Sequence, residues 1–482
     1  MRICDNAPLA DAAKSVVDDG GRISLVYIID PRFYAKTSFG FDRVGPFRRK
    51  FISEAIDDLK GNLDSHGLTL TVLQGKPEKL LPEFVGLGDS LHFQREIPPE
   101  ERAVERSVSQ QILALGGQLH DSPPNTLLDF HDLPFDVSDA PEVFSKFRRI
   151  VEKDWQVRPV ETASDDQLRR AAKHQKPLAA KAIVKVDDVS ELNPKPDGED
   201  PRSVLKFEGG ESAGLRRLNE YFWKRDCLKD YKQTRNGMLG ADYSSKFSPW
   251  LSLGCLSPRH VYAEVKRYET ERGSNESTYW LIFELLWRDY FALITAKHGS
   301  AVFQLGGLRR KVLSWQKDCA LFERWQNGKT GYPLIDANMQ ELRSTGWMSN
   351  RGRQNVASFL TKNLGLDWRM GAEWFECQLI DYDACSNYGN WNYTAGAGND
   401  ARGFRWFNTI KQSKDYDPDG DYVRHWLPNL KQVPTKFVHT PWQMHSAEQQ
   451  RSHCVIGKDF PAPIVDLFQS ARDIENKQGQ RH

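Results

Sequence analysis

The chain has 482 residues, 39% hydrophobic and 27% charged, and its 66 basic and 65 acidic side chains leave a formal net charge of +1. That composition excludes a disordered, collagenous or membrane-embedded chain, and the balanced charge excludes a whole-molecule polycation while leaving room for a local basic groove. At about 100–200 residues per domain, the length predicts two or three globular units.

Met1-Arg2-Ile3-Cys4-Asp5-Asn6 runs straight into a predicted helix over 7–17, where a βαβ unit normally opens with a strand. Short β-rich runs then alternate with longer amphipathic ones: strand 23–30, helix 50–64, strand 68–74, helix 78–84, strand 90–94, helix 100–115 and closing strand 118–128. This alternation predicts a Rossmann-like α/β domain with a parallel sheet over 1–130. Residues 131–203 are mixed and polar, with several prolines and no sustained period, and read as a long interdomain connector ordered only in part. Over 204–482 apolar residues recur at helical spacing, through 214–229, 258–271, 278–297, 319–326, 332–345, 350–364 and 372–379. The fold class is therefore α/β plus all-α, the second unit a large helical domain.

Seven cysteines, odd in number and without a C-x-x-C pair, suit a reducing compartment and neither a zinc site nor a disulfide framework. No apolar run reaches the roughly 18–20 residues of a membrane span, and the start lacks the apolar region of a signal peptide. Of 14 tryptophans only Trp155 precedes residue 200, so the aromatic content suits a large helical core or a stacking site for a planar ring. The 12 histidines show no metal-ligand spacing, and neither G-x-S-x-G nor G-x-x-x-x-G-K-[ST] occurs, which removes the main support for metallohydrolase, serine hydrolase and P-loop readings.

Four stretches carry the chemistry. Tyr243-Ser-Ser-Lys-Phe-Ser-Pro-Trp250 sets the hydroxyls of Ser244, Ser245 and Ser248 and the amine of Lys246 ahead of Pro249, a residue favoured in a first helical turn. It reads as an anion site suited to a diphosphate, or as plain serine N-capping. Glu284, Trp287 and Arg288 stand at i, i+3 and i+4, so one helix face offers a carboxylate, an indole and a guanidinium to a planar heterocycle; a buried ion pair beside a core tryptophan is the alternative. Asn350, Arg353 and Gln354 repeat that spacing. The run from Asp381 and Asp383 through Asn387 and Trp391 to Tyr393 is rich in amides, glycine and rings, and reads as a loop wrapped around a ligand.

With these residues the sequence resembles the photolyase and cryptochrome family, specifically its DASH branch, over nearly the whole chain. The motifs are Gly209-Gly-Glu-Ser, Thr234-Arg-Asn-Gly-Met, Tyr243-Ser-Ser-Lys-Phe-Ser-Pro-Trp-Leu, Trp287-Arg-Asp-Tyr-Phe, Gly346-Trp-Met-Ser-Asn-Arg-Gly-Arg-Gln-Asn and Ser386-Asn-Tyr-Gly-Asn-Trp-Asn-Tyr-Thr-Ala-Gly. The resemblance implies a flavin adenine dinucleotide (FAD) folded into a U inside the helical domain. Ser244, Ser245, Lys246, Phe247 and Ser248 would hold its diphosphate with Tyr231 nearby; Arg288 and an Arg353–Asp381 pair would flank the flavin, with Asp383 at its edge or ribose and Asn387 at N5. Trp391, Trp368 and Trp315 fall where the family has its electron-hopping triad.

Glu284, Trp287, Asn350, Gln354 and Tyr393 match positions that line the family's substrate pocket. The implied activity is blue-light-driven repair of cyclobutane pyrimidine dimers by an electron from the excited reduced flavin. Tyr393 stands where duplex-active relatives carry tryptophan; its smaller stacking surface offsets less of the cost of flipping the dimer, which suits single-stranded or locally open DNA. Ser349, Asn350 and Gln354 occupy the places where (6-4) photolyases carry histidines, which excludes that chemistry. The alternative from another class is a signalling flavoprotein with little or no repair. A 5,10-methenyltetrahydrofolate antenna is typical of the branch, with Glu100 or Glu101 as its contact, or simply as acidic residues in a helix's first turn. The implied protein is a monomer with no membrane partner. Relatives carry a strand ending in Trp-Phe-Arg ahead of the Arg2-x-x-Asp5-Asn6 equivalent; the resemblance thus implies a strand upstream of Met1, and leaves chloroplast, mitochondrion, nucleus and cytoplasm all open as locations.

Overall fold

The computed structural model describes residues 1–176, 178, 184–185, 200–310, 314–398 and 404–479. Helix α1 (Ala7–Asp19) starts where the Asn6 side chain accepts from the Leu9 N–H and Pro8 occupies the first turn; it buries Leu9, Ala13 and Val16. Strand β1 (Leu25–Ile29), crossover helix α2 (Pro46–Asp64) and strand β2 (Leu70–Gln74) make a parallel unit in which Leu25 pairs with Leu70 and Ile29 with Gln74. After the single turn α3 (Pro77–Leu80), strand β3 (Ser90–Gln94), helix α4 (Pro99–Ala114) and strand β4 (Gln118–Ser122) repeat the motif, Ser90 pairing with Gln118. The closing strand thus ends ahead of Pro123 and Pro124 rather than at 128, since proline supplies no ladder N–H.

The expected parallel sheet is divided. Among the described residues β1–β2 and β3–β4 are separate ladders, and a cleft of about 1320 Å3 lies between β1 and β3, walled by α1 and α4.

The described residues of the segment 131–203 include two helices and a short strand. Helix α5 (Phe144–Asp154) buries Phe144, Phe147 and Val151, and helix α6 (Asp165–Ala172) opens with a capping box between Ser164 and Gln167. A two-residue strand, β5 (Val184–Lys185), pairs antiparallel with β2. The phenylalanines of α5 join the main core of the helical part, so this stretch packs as structure instead of merely crossing a surface.

The helical part runs through α7 (Glu211–Asn219), α8 (Tyr231–Thr234), α9 (Ser248–Ser252), α10 (Pro258–Arg272), α11 (Glu276–His298), α12 (Cys319–Gln326), α13 (Pro333–Thr345), α14 (Asn350–Ser358), α15 (Trp368–Gln378) and α16 (Ala384–Ala395). The expected single helix over 214–229 is broken, because α7 passes into a π turn at Glu220–Lys224 and a 3-10 turn at Cys227–Asp230. From Ala384 to Tyr393 the stretch is helix α16 and not the expected loop, with Asp381 to Asp383 leading into it. Asp383 caps α16 by accepting from the Ser386 N–H at 2.7 Å, and Gly389 is tolerated because a Cβ there would strike the Phe291 ring of α11. The amide of Asn392 is satisfied inside the core, donating to the Val302 and Tyr388 carbonyls at 2.6 and 2.8 Å.

Among the contacts that join the α/β and helical parts, three fix backbone or buried charge. Arg43 pairs with Glu376 of α15 at 2.9 Å and with Glu100 of α4 at 2.7 Å. The Gly45 N–H donates to the Cys377 carbonyl at 2.8 Å, an approach so close that any Cβ at Gly45 would collide with that carbonyl. Buried Asp289 on α11 accepts from the N–H groups of Leu127 and Leu128 at 3.0 and 2.8 Å.

Candidate active site

Helix α11 packs on α8 and α16, and α16 packs on α14 and α15, so these elements share one block. Beside it the loop 241–247 is held from within. Arg217 of α7 donates to the carbonyls of Ala241, Ser244 and Ser245 at 2.9, 3.1 and 3.0 Å and pairs with Asp242 at 3.0 Å. Three of the loop's carbonyls are thereby consumed, while among the described residues no protein group accepts from the hydroxyls of Ser244, Ser245 and Ser248. Plain serine capping is not what occurs: Phe247 sits at the N-cap of α9 and no side chain caps it. Helix α9 has only five residues, so its dipole adds little, and an anion would be met by hydroxyls and backbone N–H groups.

Lys246 departs from the picture of an exposed phosphate-binding amine. It is buried with φ 55°, and its ammonium lies 3.6 Å from the centre of the Tyr243 ring and 5.1 Å from that of Trp347. Burial pushes it down to about 7. Tyr231 is buried at the start of α8 in the core that also holds Phe247.

On α11, Glu284 is paired with Arg235 at 2.5 Å, so the ion pair weighed as an alternative exists, but its cation comes from the end of α8 and not from Arg288. Burial raises the Glu284 carboxyl, opposed by Arg235. Arg288 instead donates to the Asn125 and Leu251 carbonyls and lies 3.7 Å from Asp383. Trp287 stacks on Phe144 and meets Tyr393 edge to face at 6.5 Å.

On α14, Ser349 caps the helix by accepting from the Gly352 N–H at 3.0 Å, leaving Asn350 exposed in the first turn. The expected pair forms: Arg353 Nη2 lies 2.9 Å from Asp381 Oδ2, and Arg353 Nε donates to the Met348 carbonyl at 2.9 Å. Asp381 Oδ1 and Gln354 Oε1 are buried without a partner. Asn387, 8% exposed, donates to the Ala372 carbonyl of α15 at 3.0 Å, which leaves its oxygen available.

Trp391 and Trp368 are buried in one core cluster, and Trp315 packs against the same cluster from its edge. Trp391 is in ring contact with Trp325 at 6.5 Å and Phe375 at 5.2 Å. Glu100 and Glu101 diverge: Glu100 is committed to Arg43, whereas Glu101 lines the cleft between β1 and β3. Sequence reasoning missed Arg235, Phe144 and Trp325. Only Phe144 carried a readable signal, the apolar spacing with Phe147 and Val151; the other two depend on long-range contacts. Among the described residues no group of three or more His, Cys, Asp or Glu could hold a metal ion, and no helix is long and apolar enough to cross a membrane.

Residues 280–479 match the family described as FAD binding domain of DNA photolyase, and residues 1–180 match the one described as DNA photolyase. The chain is 50% identical over 473 residues to Cryptochrome DASH of Gloeobacter violaceus, spanning 98% of this chain and 92% of that protein. A solved Synechocystis sp. PCC6803 cryptochrome superposes with a TM-score of 0.93 at 50% identity, over 98% of this chain and 96% of that one. A bacterial class III photolyase from Agrobacterium tumefaciens superposes with a TM-score of 0.83 at 26% identity, over 99% and 95%.

Proposed function

The chain belongs to the DNA photolyase and cryptochrome family, in its DASH branch, and from that premise we propose that it is a lyase that uses FAD and blue light to repair cyclobutane pyrimidine dimers, preferentially in single-stranded or locally open DNA. The observation that carries this reading is the face on which Trp287 meets Tyr393 edge to face at 6.5 Å beside the carboxyl of Glu284. Two rings at an angle beside a carboxylate suit a pair of non-coplanar pyrimidines with amide edges.

The residues fit FAD. Hydroxyls of Ser244, Ser245 and Ser248 without protein partners suit a diphosphate, with Lys246 and Phe247 contributing backbone N–H groups. The orphaned Asp381 Oδ1 and the free oxygen of Asn387 supply acceptors to a flavin edge, and Arg353 supplies fixed positive charge. Asp383 and Arg288 close the other flank, and Tyr231 backs the diphosphate. Held there in its reduced form and excited by blue light, FAD would supply one electron to the dimer and would regain it once the ring bonds have split, with no net redox change. Glu284 then accepts from the base edge while Arg235 keeps it oriented, and Asn350 and Gln354 close the opposite edge.

A signalling flavoprotein is the second reading, favoured by one observation: Trp391, Trp368 and Trp315 all belong to one aromatic core, which suits electron entry toward a flavin. The antenna is 5,10-methenyltetrahydrofolate, with Glu101 its better contact because Glu100 is held by Arg43. The protein acts as a monomer on DNA. The deciding experiment follows loss of thymine dimers from a single-stranded oligonucleotide, a matched duplex and a dark control under blue light with reduced protein. Repair of the single strand supports the lyase; no repair with a flavin that still photoreduces transfers the weight to the sensor.

A further inference from the structure

Behind the loop 241–247 lies a small cavity of about 10 Å3, walled mainly by Val204, Leu205, Phe207, Trp347 and Trp426, into which the charged side chains of Lys246 and Glu341 both reach. Lys246 Nζ and Trp347 Nε1, on two residues that line it, are buried without a hydrogen-bond partner, as is the hydroxyl of Tyr243, whose ring centre lies 3.6 Å from the Lys246 ammonium. Glu341, 2% exposed on α13, accepts from the Tyr422 hydroxyl through Oε2 at 2.7 Å. A volume near 10 Å3 is about the size of a single water site, and because Lys246 and Glu341 both border it, one water there would bridge the ammonium and the carboxylate.

Lys246 is also one of the few residues other than glycine with a left-handed backbone, and it sits between Ser245 and Phe247 in the hydroxyl-bearing loop. A side chain in αL costs about 1 kcal/mol or more and persists only where its surroundings hold it. Tyr243 and Trp347 enclose the ammonium, but rings alone neither neutralise a buried charge nor complete its hydrogen bonds.

We propose that Glu341 is a positioning residue for the FAD diphosphate loop: across this cavity its carboxyl holds the Lys246 amine, which pins the loop's left-handed residue and so aims the hydroxyls of Ser244, Ser245 and Ser248. The inference rests on the reading that this loop holds the diphosphate. The other charged groups facing Lys246 are already occupied, Arg217 with Asp242 and Arg353 with Asp381. Burial pushes Lys246 down and Glu341 up, each to about 7. The pair is therefore neutral overall near pH 7 and gains a net charge on either side, where its hold weakens.

The test is the rate of FAD release from the holoprotein, read by flavin fluorescence between pH 5.5 and 9, with thermal melting as a check on the fold. Wild-type protein is expected to release FAD slowest near neutrality. Glu341→Gln is expected to release it about tenfold faster at pH 7, the loss of one charged hydrogen bond, and to lack the acid limb, while Glu341→Asp restores part of the hold. Lys246→Met supplies a second variant should Glu341→Gln fail to fold, with the same acceleration expected. A Glu341→Gln protein that melts normally and releases FAD at the wild-type rate and pH profile overturns the proposal. Ser244→Ala with Ser248→Ala tests the underlying reading separately: unchanged FAD release in that double variant overturns the loop's role itself.

Discussion

Trp287 of α11 lies flat on Phe144 of α5, with ring centres 3.6 Å apart and planes inclined by 12°. One face of the indole is thus covered by a residue from the segment 131–203, and its edge-to-face partner Tyr393 meets it elsewhere. If that geometry holds Trp287 for a stacked base, Phe144→Ala frees the indole and weakens binding of a dimer-containing oligonucleotide about three- to tenfold, the worth of one aromatic pair. FAD content is expected to stay unchanged, and fluorescence anisotropy with the labelled oligonucleotide measures the effect.

Glu284 is held by Arg235 at 2.5 Å. Glu284→Ala removes the acceptor and leaves a partly buried guanidinium unpaired, so repair per photon is expected to fall at least about tenfold with FAD still bound. Glu284→Gln keeps one oxygen and is expected to lose less. Equal loss in both variants would show that the negative charge, rather than the acceptor, matters.

Trp391 is 2% exposed and in contact with Phe375 and Trp325. Trp391→Phe keeps a ring there and is expected to slow flavin photoreduction severalfold or more, while repair by chemically reduced protein is spared. Absorbance changes under blue light, followed by a repair assay on dithionite-reduced samples, separate the two. Loss of repair in the reduced sample would remove Trp391 from an electron-entry role.

Burial pushes Asp289 up to about 7, against two N–H donors that favour its charge. Its folded value lies above the unfolded value of about 3.9, so between pH 4 and 7 the native state binds a proton the unfolded state has released, and stability falls as pH rises through that window. The drop attributable to this group is on the order of 4 kcal/mol. Asp289→Asn is expected to flatten that slope in denaturant melts while lowering stability at pH 5, since one of the Leu127 and Leu128 N–H groups loses its acceptor.

Local signals were legible where a single element decides its own structure. β3 over Ser90–Gln94 and α12 over Cys319–Gln326 coincide with the predicted ranges, because alternation and helical spacing there are uninterrupted. The spacing of Asn350, Arg353 and Gln354 also places them on one helix, and Arg353 finds Asp381. What was not legible depends on partners far along the chain. A run such as Asn387-Tyr-Gly-Asn-Trp391 has poor helix propensity, yet it is helical because Phe291 fills the space over Gly389 and the Val302 carbonyl takes the Asn392 amide. Lys246 looks like a surface amine in sequence, and only the rings of Tyr243 and Trp347 turn it inward.

The backbone joint between Gly45 and Cys377 has a bearing on synthesis. A chain emerging from a ribosome at about 5–20 residues per second folds its early segments first, but the start of α2 docks on a carbonyl of α15 that is made only near the end. Arg43, two residues earlier, waits for Glu376 in the same way. The α/β part is therefore synthesised with this docking edge bare until α15 has been made.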